Sequence, residues 1–251
     1  MENISEVMKN LQTKNMSRAL SDESSEELFT CPICHDAHIV HPVHDGKIDY
    51  TTVIPCECVR EQMQKERAQN LLRYCELPAE TTHMTFENFK VTPKLQEAYD
   101  LARLLAEGNE VTWLTLMSKV SRGKTHLAIA ICRRWLASGR PAKYAYVPLL
   151  FDELRRGFRG EGDKSYEARF DRFLNVPLLV LDDLGTEKRT PWVQEKLDTL
   201  IDYRLGQGLH LVVTTNMPMD ELPFRIRSRL GRLPTSKIVF IHAQEFVVGK
   251  G

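Results

Sequence analysis

Four short runs constrain this chain most: Val111-Thr-Trp-Leu-Thr-Leu116, Ala142 to Val147, Val176-Pro-Leu-Leu-Val-Leu181 and Leu209-His-Leu-Val-Val-Thr-Thr215. Each is apolar with little alternation, so each predicts a strand buried on both faces. Helical segments separate them: 124–138, 148–158, Tyr166 to Leu174, and 191–207 with Trp192, Leu197, Leu200 and Ile201 inward. Strands that alternate with crossover helices must run parallel, with helices covering both faces. A further helix is expected to open at Thr92-Pro93, carry Leu95, Ala98, Tyr99, Ala102 and Leu105 on one face, and stop at Gly108. At 251 residues and 42% hydrophobic content, the chain can build one α/β core plus a small module.

The organisation expected is a polar stretch at 1–28, a cysteine-bearing module with a charged helix at 29–76, and the α/β domain at 77–251. The first stretch holds an acidic cluster (Asp22, Glu23, Glu26, Glu27), and Ile4, Val7, Met8 and Leu11 allow a short amphipathic helix or a frayed tail. In the module, two β-prone runs flank Asp45-Gly46, a hairpin signal, and a charged helix follows at 59–74 before Leu77-Pro78. Formal net charge is zero, so any nucleic-acid contact has to come from a local patch. The sequence shows neither a secretory h-region nor an apolar run of membrane-spanning length, and the expectation is a cytoplasmic protein without membrane contact.

Residues 118–125 read Ser118-Lys119-Val120-Ser121-Arg122-Gly123-Lys124-Thr125 between a strand and a helix, the context of a phosphate-binding loop. Lys124 is expected to reach the β- and γ-phosphates and Thr125 to ligate Mg²⁺, with the helix N-terminus adding its free N–H groups. The loop from Ser118 to His126, with Asp182, forms the expected nucleotide-binding set. Ser118 and Ser121 stand where such loops carry glycine, and a serine forced into the left-handed region costs roughly 1–2 kcal/mol. The run Leu178-Leu-Val-Leu ends in Asp182-Asp183. Asp182 is expected to hold Mg²⁺ through water and Asp183 to orient or deprotonate an attacking water; the bland alternative is a pair of helix N-caps. Asn216 tips the next apolar strand, and Arg225, Arg227 and Arg229 follow at alternate positions, which could equally be a solvated basic stretch.

Six cysteines in a reducing compartment argue against a disulfide framework. Cys31 and Cys34 form one pair, Cys56 and Cys58 a tighter one, and the hairpin between them can bring four thiolates onto a Zn²⁺ ion. Two alternatives remain: Cys31-Pro-Ile-Cys-His35 matches a haem-attachment pattern, and His35, His38, His41 or His44 could replace one cysteine. Cys75 and Cys132 read as small buried hydrophobes.

Together, Gly123-Lys-Thr-His-Leu-Ala128, Leu178-Leu-Val-Leu-Asp-Asp-Leu-Gly185, Val213-Thr-Thr-Asn216 and Ser228-Arg229-Leu resemble the AAA+ ATPases. More narrowly, with Thr85-Phe-Glu-Asn-Phe89 and the cysteine module, they resemble bacterial and phage helicase loaders of the DnaC/DnaI type. The resemblance implies an AAA+ parallel sheet flanked by helices behind a small zinc-binding module. It implies ATP with Mg²⁺, a sensor-1 role for Asn216, and an arginine-finger role for Arg229 toward a neighbouring subunit. The catalytic set would then be Asp183, Asn216 and Arg229, working in a homo-oligomer. No sensor-2 arginine follows residue 232, and the missing glycines imply slow turnover. The implied partners are a hexameric replicative helicase, gripped by the N-terminal region, and single-stranded DNA. The DNA candidate is Arg155, Arg156, Phe158 and Arg159, with Phe158 as either a stacking face or a core residue. The function implied is an ATP-dependent helicase loader in DNA replication. The alternatives are a transposition-helper ATPase and a nonhydrolysing helicase and DNA adaptor.

Overall fold

A computed structural model describes residues 29–160, 162, 165–188 and 190–242. The amphipathic spacing at residues 4–11 therefore lies outside the described residues. The chain divides into two compact units, one up to Met63 and one from Gln64 on.

The first unit holds two small antiparallel pairs, β1 (Ile39–Val40) with β4 (Ile54–Pro55) and β2 (Val43–His44) with β3 (Lys47–Ile48). The β2–β3 turn is Asp45-Gly46, with φ of 50° and 76°. Two consecutive left-handed residues are what a two-residue turn needs to match the strand twist. Helix α1 (Glu57–Cys75) begins in this unit and ends in the second.

The second unit is a five-stranded sheet, wholly parallel, built from β5 (Trp113–Met117), β6 (Ala142–Tyr146), β7 (Leu178–Asp182), β8 (His210–Thr215) and β9 (Ser236–Phe240) in the order β6-β7-β8-β5-β9. Around it lie α2 (Gln96–Glu107), α3 (Lys124–Ala137), α4 (Val147–Arg156), α5 (Tyr166–Asn175), α6 (Pro191–Gln207) and α7 (Phe224–Leu230). The period-2 strand geometry sorts the core into two layers. Leu114, Leu116, Leu178, Val180 and Val212 pack with Ala98, Ala102 and Leu105 of α2 and Leu127, Ile131 and Trp135 of α3. Their neighbours Trp113, Leu179, Leu181, Leu211 and Val213 pack with Leu150 and Leu154 of α4, Phe170 and Phe173 of α5, and Leu197 and Ile201 of α6.

Three local departures from expectation have physical causes. Helix α2 begins at Gln96, after a turn in which the Leu95 N–H donates to Thr92 O at 2.8 Å, so Thr92-Pro93 opens a lead-in turn rather than the helix. Its end at Gly108 is as expected, with φ 79° and the glycine N–H on the last carbonyls. The arginine-rich stretch 224–230 is a helix, held by buried Ile226 and Leu230. Strand β9 was not foreseen: it lies at a sheet edge, and its mixed Ser-Lys-Ile-Val-Phe pattern lacks the apolar signature of an inner strand. No helix among the described residues is long and apolar enough to cross a membrane.

Arg204 locks the end opposite the strand tips. It is fully buried, and its guanidinium donates to the carbonyls of Phe173 (2.9 Å), Leu174 (3.1 Å), Pro177 (3.4 Å) and His210 (2.5 Å). Burial pulls its pKa down to about 9. The residue closes the carbonyl-rich end of α5 and joins it to the starts of β7 and β8. Arg204→Met should lower unfolding stability by about 3 kcal/mol or more, because several buried acceptors lose their donor together; denaturant melts of the two chains measure this, and an unchanged midpoint would refute it.

Candidate functional site

In a parallel α/β sheet, ligands meet the loops beyond the carboxyl ends of the strands. Here β5 leads into Ser118–Gly123 and α3, β7 ends at Asp182, and β8 runs into Asn216. The sheet register places Tyr146 beside Asp182 and Met117 beside Thr215, so these tips share one edge.

The two serine substitutions in the loop differ in consequence. Ser121 sits at φ 57°, a conformation that favours glycine, whereas Ser118 is not among the positive-φ residues. Gly123, at φ 84°, has a second constraint: a Cβ there would lie 2.9 Å from Cε2 of Phe89. Phe89 also packs edge-on against His126, with ring centroids 5.0 Å apart, and His126 Nε2 lies 2.8 Å from Thr85 O. The Thr85–Phe89 segment thus braces the loop. The buried Lys124 ammonium donates to Ser118 O (3.1 Å), Ser118 Oγ (2.9 Å), Lys119 O (3.0 Å) and Asn216 Oδ1 (2.8 Å). Burial lowers its pKa, opposed by Asp183 and Asp182 and reinforced by Arg122.

Asp182 is buried and takes hydrogen bonds from three elements. Thr125 Oγ1 of α3 lies 3.1 and 3.2 Å from its two oxygens, Tyr144 Oη of β6 donates at 2.7 Å, and Thr214 Oγ1 of β8 donates at 2.6 Å. Burial and then the neighbouring Asp182 charge push the Tyr144 phenol far above its ordinary pKa. Asp183, at φ 65°, accepts from Asn216 Nδ2 at 2.6 Å. A relay therefore runs from Lys124 through the Asn216 amide to Asp183. The N-cap alternative for the two acids is not realised: the next described helix, α6, is capped by Thr190. Tyr144 and Thr214 were not foreseen. Thr214 was visible only as part of a polar strand tip, and nothing in the sequence marked Tyr144.

Arg229 stands elsewhere. Its Nε and Nη2 pair with the Asp202 carboxylate of α6, the latter at 3.0 Å, and Nη1 donates to Arg225 O at 3.1 Å. None of these partners belongs to the group around Asp182. Arg155, Arg156, Phe158 and Arg159 are all exposed. Phe158 is 59% exposed, which rules out the core alternative. Its ring lies 4.9 Å from Tyr166 and 5.8 Å from Trp192, and the Arg155 guanidinium lies 5.1 Å from the Trp192 ring centre.

In the first unit, the sulfurs of Cys31, Cys34, Cys56 and Cys58 all lie within 4.8 Å of one another, with 3.8 Å between Cys31 and Cys56 and 3.6 Å between Cys34 and Cys58. Four thiolates about 2.3 Å from a zinc ion form a tetrahedron with edges of about 3.8 Å, so the set fits that metal. His38 Nδ1 is 4.0 Å from Cys58 Sγ and is not one of the four clustered ligand atoms, and the His35 ring stacks on Phe29 at 4.5 Å. Backbone N–H groups of Cys34 and then Ile33 lower the Cys31 pKa to about 7, favouring a thiolate. Cys75 and Cys132 are fully buried. A hydrogen bond from Cys75, with burial, raises the Cys132 thiol well above its ordinary pKa.

The model of the IstB-like ATP binding protein family matches residues 37–225. The replicative helicase loader DnaI of Bacillus subtilis is 25% identical over 219 residues, covering 84% of this chain and 67% of DnaI. The replicative helicase loader DnaC of Escherichia coli is 29% identical over 142 residues, covering 55% of this chain and 57% of DnaC. An ATP-binding protein in an insertion sequence of Mycobacterium tuberculosis is 32% identical over 138 residues, 53% of each chain. Among solved structures, DnaI superimposes with a TM-score of 0.57 at 26% identity, covering 66% of this chain and 95% of that one. The DnaC helicase loader does so with 0.57 at 21% identity, covering 65% and 99%. The sheet and its helices form an AAA+ fold.

Asp182 gives a prediction that needs no ligand. Tyr144→Phe and Thr214→Val each remove one donor from a buried carboxylate, and each should lower stability at neutral pH by about 1–2 kcal/mol. Their effects should not simply add, since both donors serve one carboxylate. Denaturant melts of the two single variants and the double variant test this; strict additivity would show that the two donors act independently of one another.

Proposed function

The chain belongs to the IstB-like ATP-binding protein family, and from that premise we propose that it is an ATPase that delivers a hexameric replicative helicase onto single-stranded DNA during replication. The observation that carries the nucleotide part is the convergence of Lys124, Thr125, Asp182, Asp183 and Asn216 at one sheet edge. The loader part draws on the extent of the likeness. The match to DnaI spans 84% of the chain, more than the sheet domain occupies, whereas the insertion-sequence relative matches 53%.

In this reading the loop from Ser118 to Gly123 cradles the polyphosphate with backbone N–H groups, and Lys124 leaves its contacts with Ser118, Lys119 and Asn216 for the phosphates. Thr125 and Asp182 hold Mg²⁺, which supplies charge neutralisation on the phosphates. Released from Lys124, Asn216 can orient a water toward the terminal phosphate while Asp183 accepts its proton. Arg229 acts on the nucleotide of an adjoining copy, so turnover requires a homo-oligomer. The exposed Arg155, Arg156, Phe158 and Arg159 offer charge to a DNA backbone and a ring to its bases. Residues 29–76 form the module that grips the helicase. Zn²⁺ on Cys31, Cys34, Cys56 and Cys58 holds that module together rather than performing chemistry; residues 77–251 are the ATPase domain.

One observation favours a second reading: the insertion-sequence relative shares the higher identity, 32%. A transposition helper would use the same nucleotide site on another partner. Pull-down of the host replicative helicase with and without ATP separates the two, and a helicase that is not retained in either condition would refute the loader. Lys124→Ala and Arg229→Ala should each suppress DNA-stimulated ATP hydrolysis at least tenfold, in keeping with the weight such groups carry in phosphoryl transfer. An equimolar mixture should regain part of the activity, because an intact loop can meet an intact arginine across a subunit boundary. No recovery on mixing would refute action between subunits. Elemental analysis should give about one zinc per chain, and Cys56→Ser should lose the metal; a metal-free wild-type protein would remove zinc from the assignment.

A further inference from the structure

The Arg122 side chain has no part in the arrangement above. The residue directly precedes Gly123. Its Nε is enclosed without a hydrogen-bond partner, and no carboxylate pairs with its guanidinium among the described residues. The Nε of Arg133 and of Arg204 is enclosed without a partner as well, but those guanidiniums donate through other nitrogens, Arg133 to Thr81 O and Arg204 to four carbonyls, while Arg229 pairs with Asp202 and Arg140 donates to Ala106 O. An enclosed guanidinium donor without an acceptor is costly. It is costlier beside a second buried cation, and Lys124 is such a cation, two residues on and inside the electrostatic reach of Arg122. The two acids nearby do not relieve Arg122. Asp182 is taken by Thr125, Tyr144 and Thr214, and Asp183 by Asn216. The loop therefore holds one more positive charge than its own structure uses.

We propose that the Arg122 side chain is a phosphate ligand of this site, a second cationic arm beside Lys124 that supplies anion affinity in a loop whose Ser121 holds a left-handed conformation without glycine. The inference rests on the nucleotide-binding reading above and gives that site a preference for polyphosphate over the base. A guanidinium offers a fork of N–H donors to phosphate oxygens, and a polyphosphate is the ligand class that can meet Arg122 and Lys124 together.

The test is calorimetric titration of the full-length protein with ATP and with inorganic tripolyphosphate, for wild type, Arg122→Gln and Arg122→Lys, alongside the thermal midpoint of each chain without ligand. Arg122→Gln should weaken both ligands roughly tenfold or more, the size of one charge-assisted contact, and Arg122→Lys should recover part of the loss. The ligand-free midpoint of Arg122→Gln should stay level or rise, since an unpaired cation beside Lys124 is removed. Wild-type affinity in Arg122→Gln would overturn the arginine's role while leaving the nucleotide reading intact. A lower ligand-free midpoint together with weaker binding would assign Arg122 to loop folding and also overturn the proposal. Wild-type protein that binds neither ligand would remove the nucleotide reading, and the proposal with it.

Discussion

A buried carboxylate at the end of an apolar strand is the constraint on which the rest of this structure turns. Asp182 closes Leu178-Leu-Val-Leu, a run buried on both faces, so its charge cannot be met by bulk water. It is met instead by hydroxyls from three other elements: Thr125 from α3, Tyr144 from β6 and Thr214 from β8. Those groups converge only if β6, β7 and β8 are parallel and in the observed register, and only if α3 starts at Lys124. Thr125 is also the hydroxyl next to Lys124, so the group that satisfies Asp182 is the one that the proposed nucleotide site would have share a cation with it. Fold specificity and chemistry are tied to the same oxygen atoms.

The lysine shows the same economy. The Lys124 ammonium is satisfied by three loop oxygens and by Asn216. Ser118, which looks like a defect when matched against a glycine-bearing pattern, supplies two of those acceptors and is not at positive φ. Ser121 is the residue that bears the conformational cost. A phosphate entering the loop must compete with four hydrogen bonds to Lys124. The same Asn216 amide holds Lys124 through its oxygen and Asp183 through its nitrogen, so in the proposed site a displaced Lys124 would alter the group that holds Asp183.

How much of this could be read from sequence follows the range of each interaction. The inner strands were legible because burial on both faces leaves a continuous apolar run, Asp182 and Asn216 because each lies directly at the end of such a run, and Lys124 and Thr125 because Gly123-Lys124-Thr125 stands between a strand and a helix. The cysteine quartet was legible from two short spacings and one Asp-Gly turn. Strand β9 was not, because an edge position tolerates Lys237 and Ser236. Tyr144 was hidden because its role depends on which strand lies beside β7: β6 and β7 are neighbours in space, but two helices separate them in sequence. Asp202 was hidden for a related reason. It lies 27 residues from Arg229, and no periodicity links a carboxylate on one helix to a guanidinium on another.

That last pair bears on how an arginine could serve a neighbouring copy. Long side chains give up rotamer entropy when they are fixed at the moment of use. Asp202 fixes the Arg229 guanidinium beforehand through two of its nitrogens, and Nη1 rests on a carbonyl of its own helix. A backbone carbonyl is a weaker acceptor than an anionic oxygen, so Nη1 is the position a phosphate from another subunit could claim without breaking the Asp202 pair. Arg225, more exposed and 3.6 Å from both Asp198 and Asp202, ties the same face of α7 to α6. The arrangement holds a guanidinium fork in a fixed orientation before any ligand arrives, the property that lowers the entropic cost of its use.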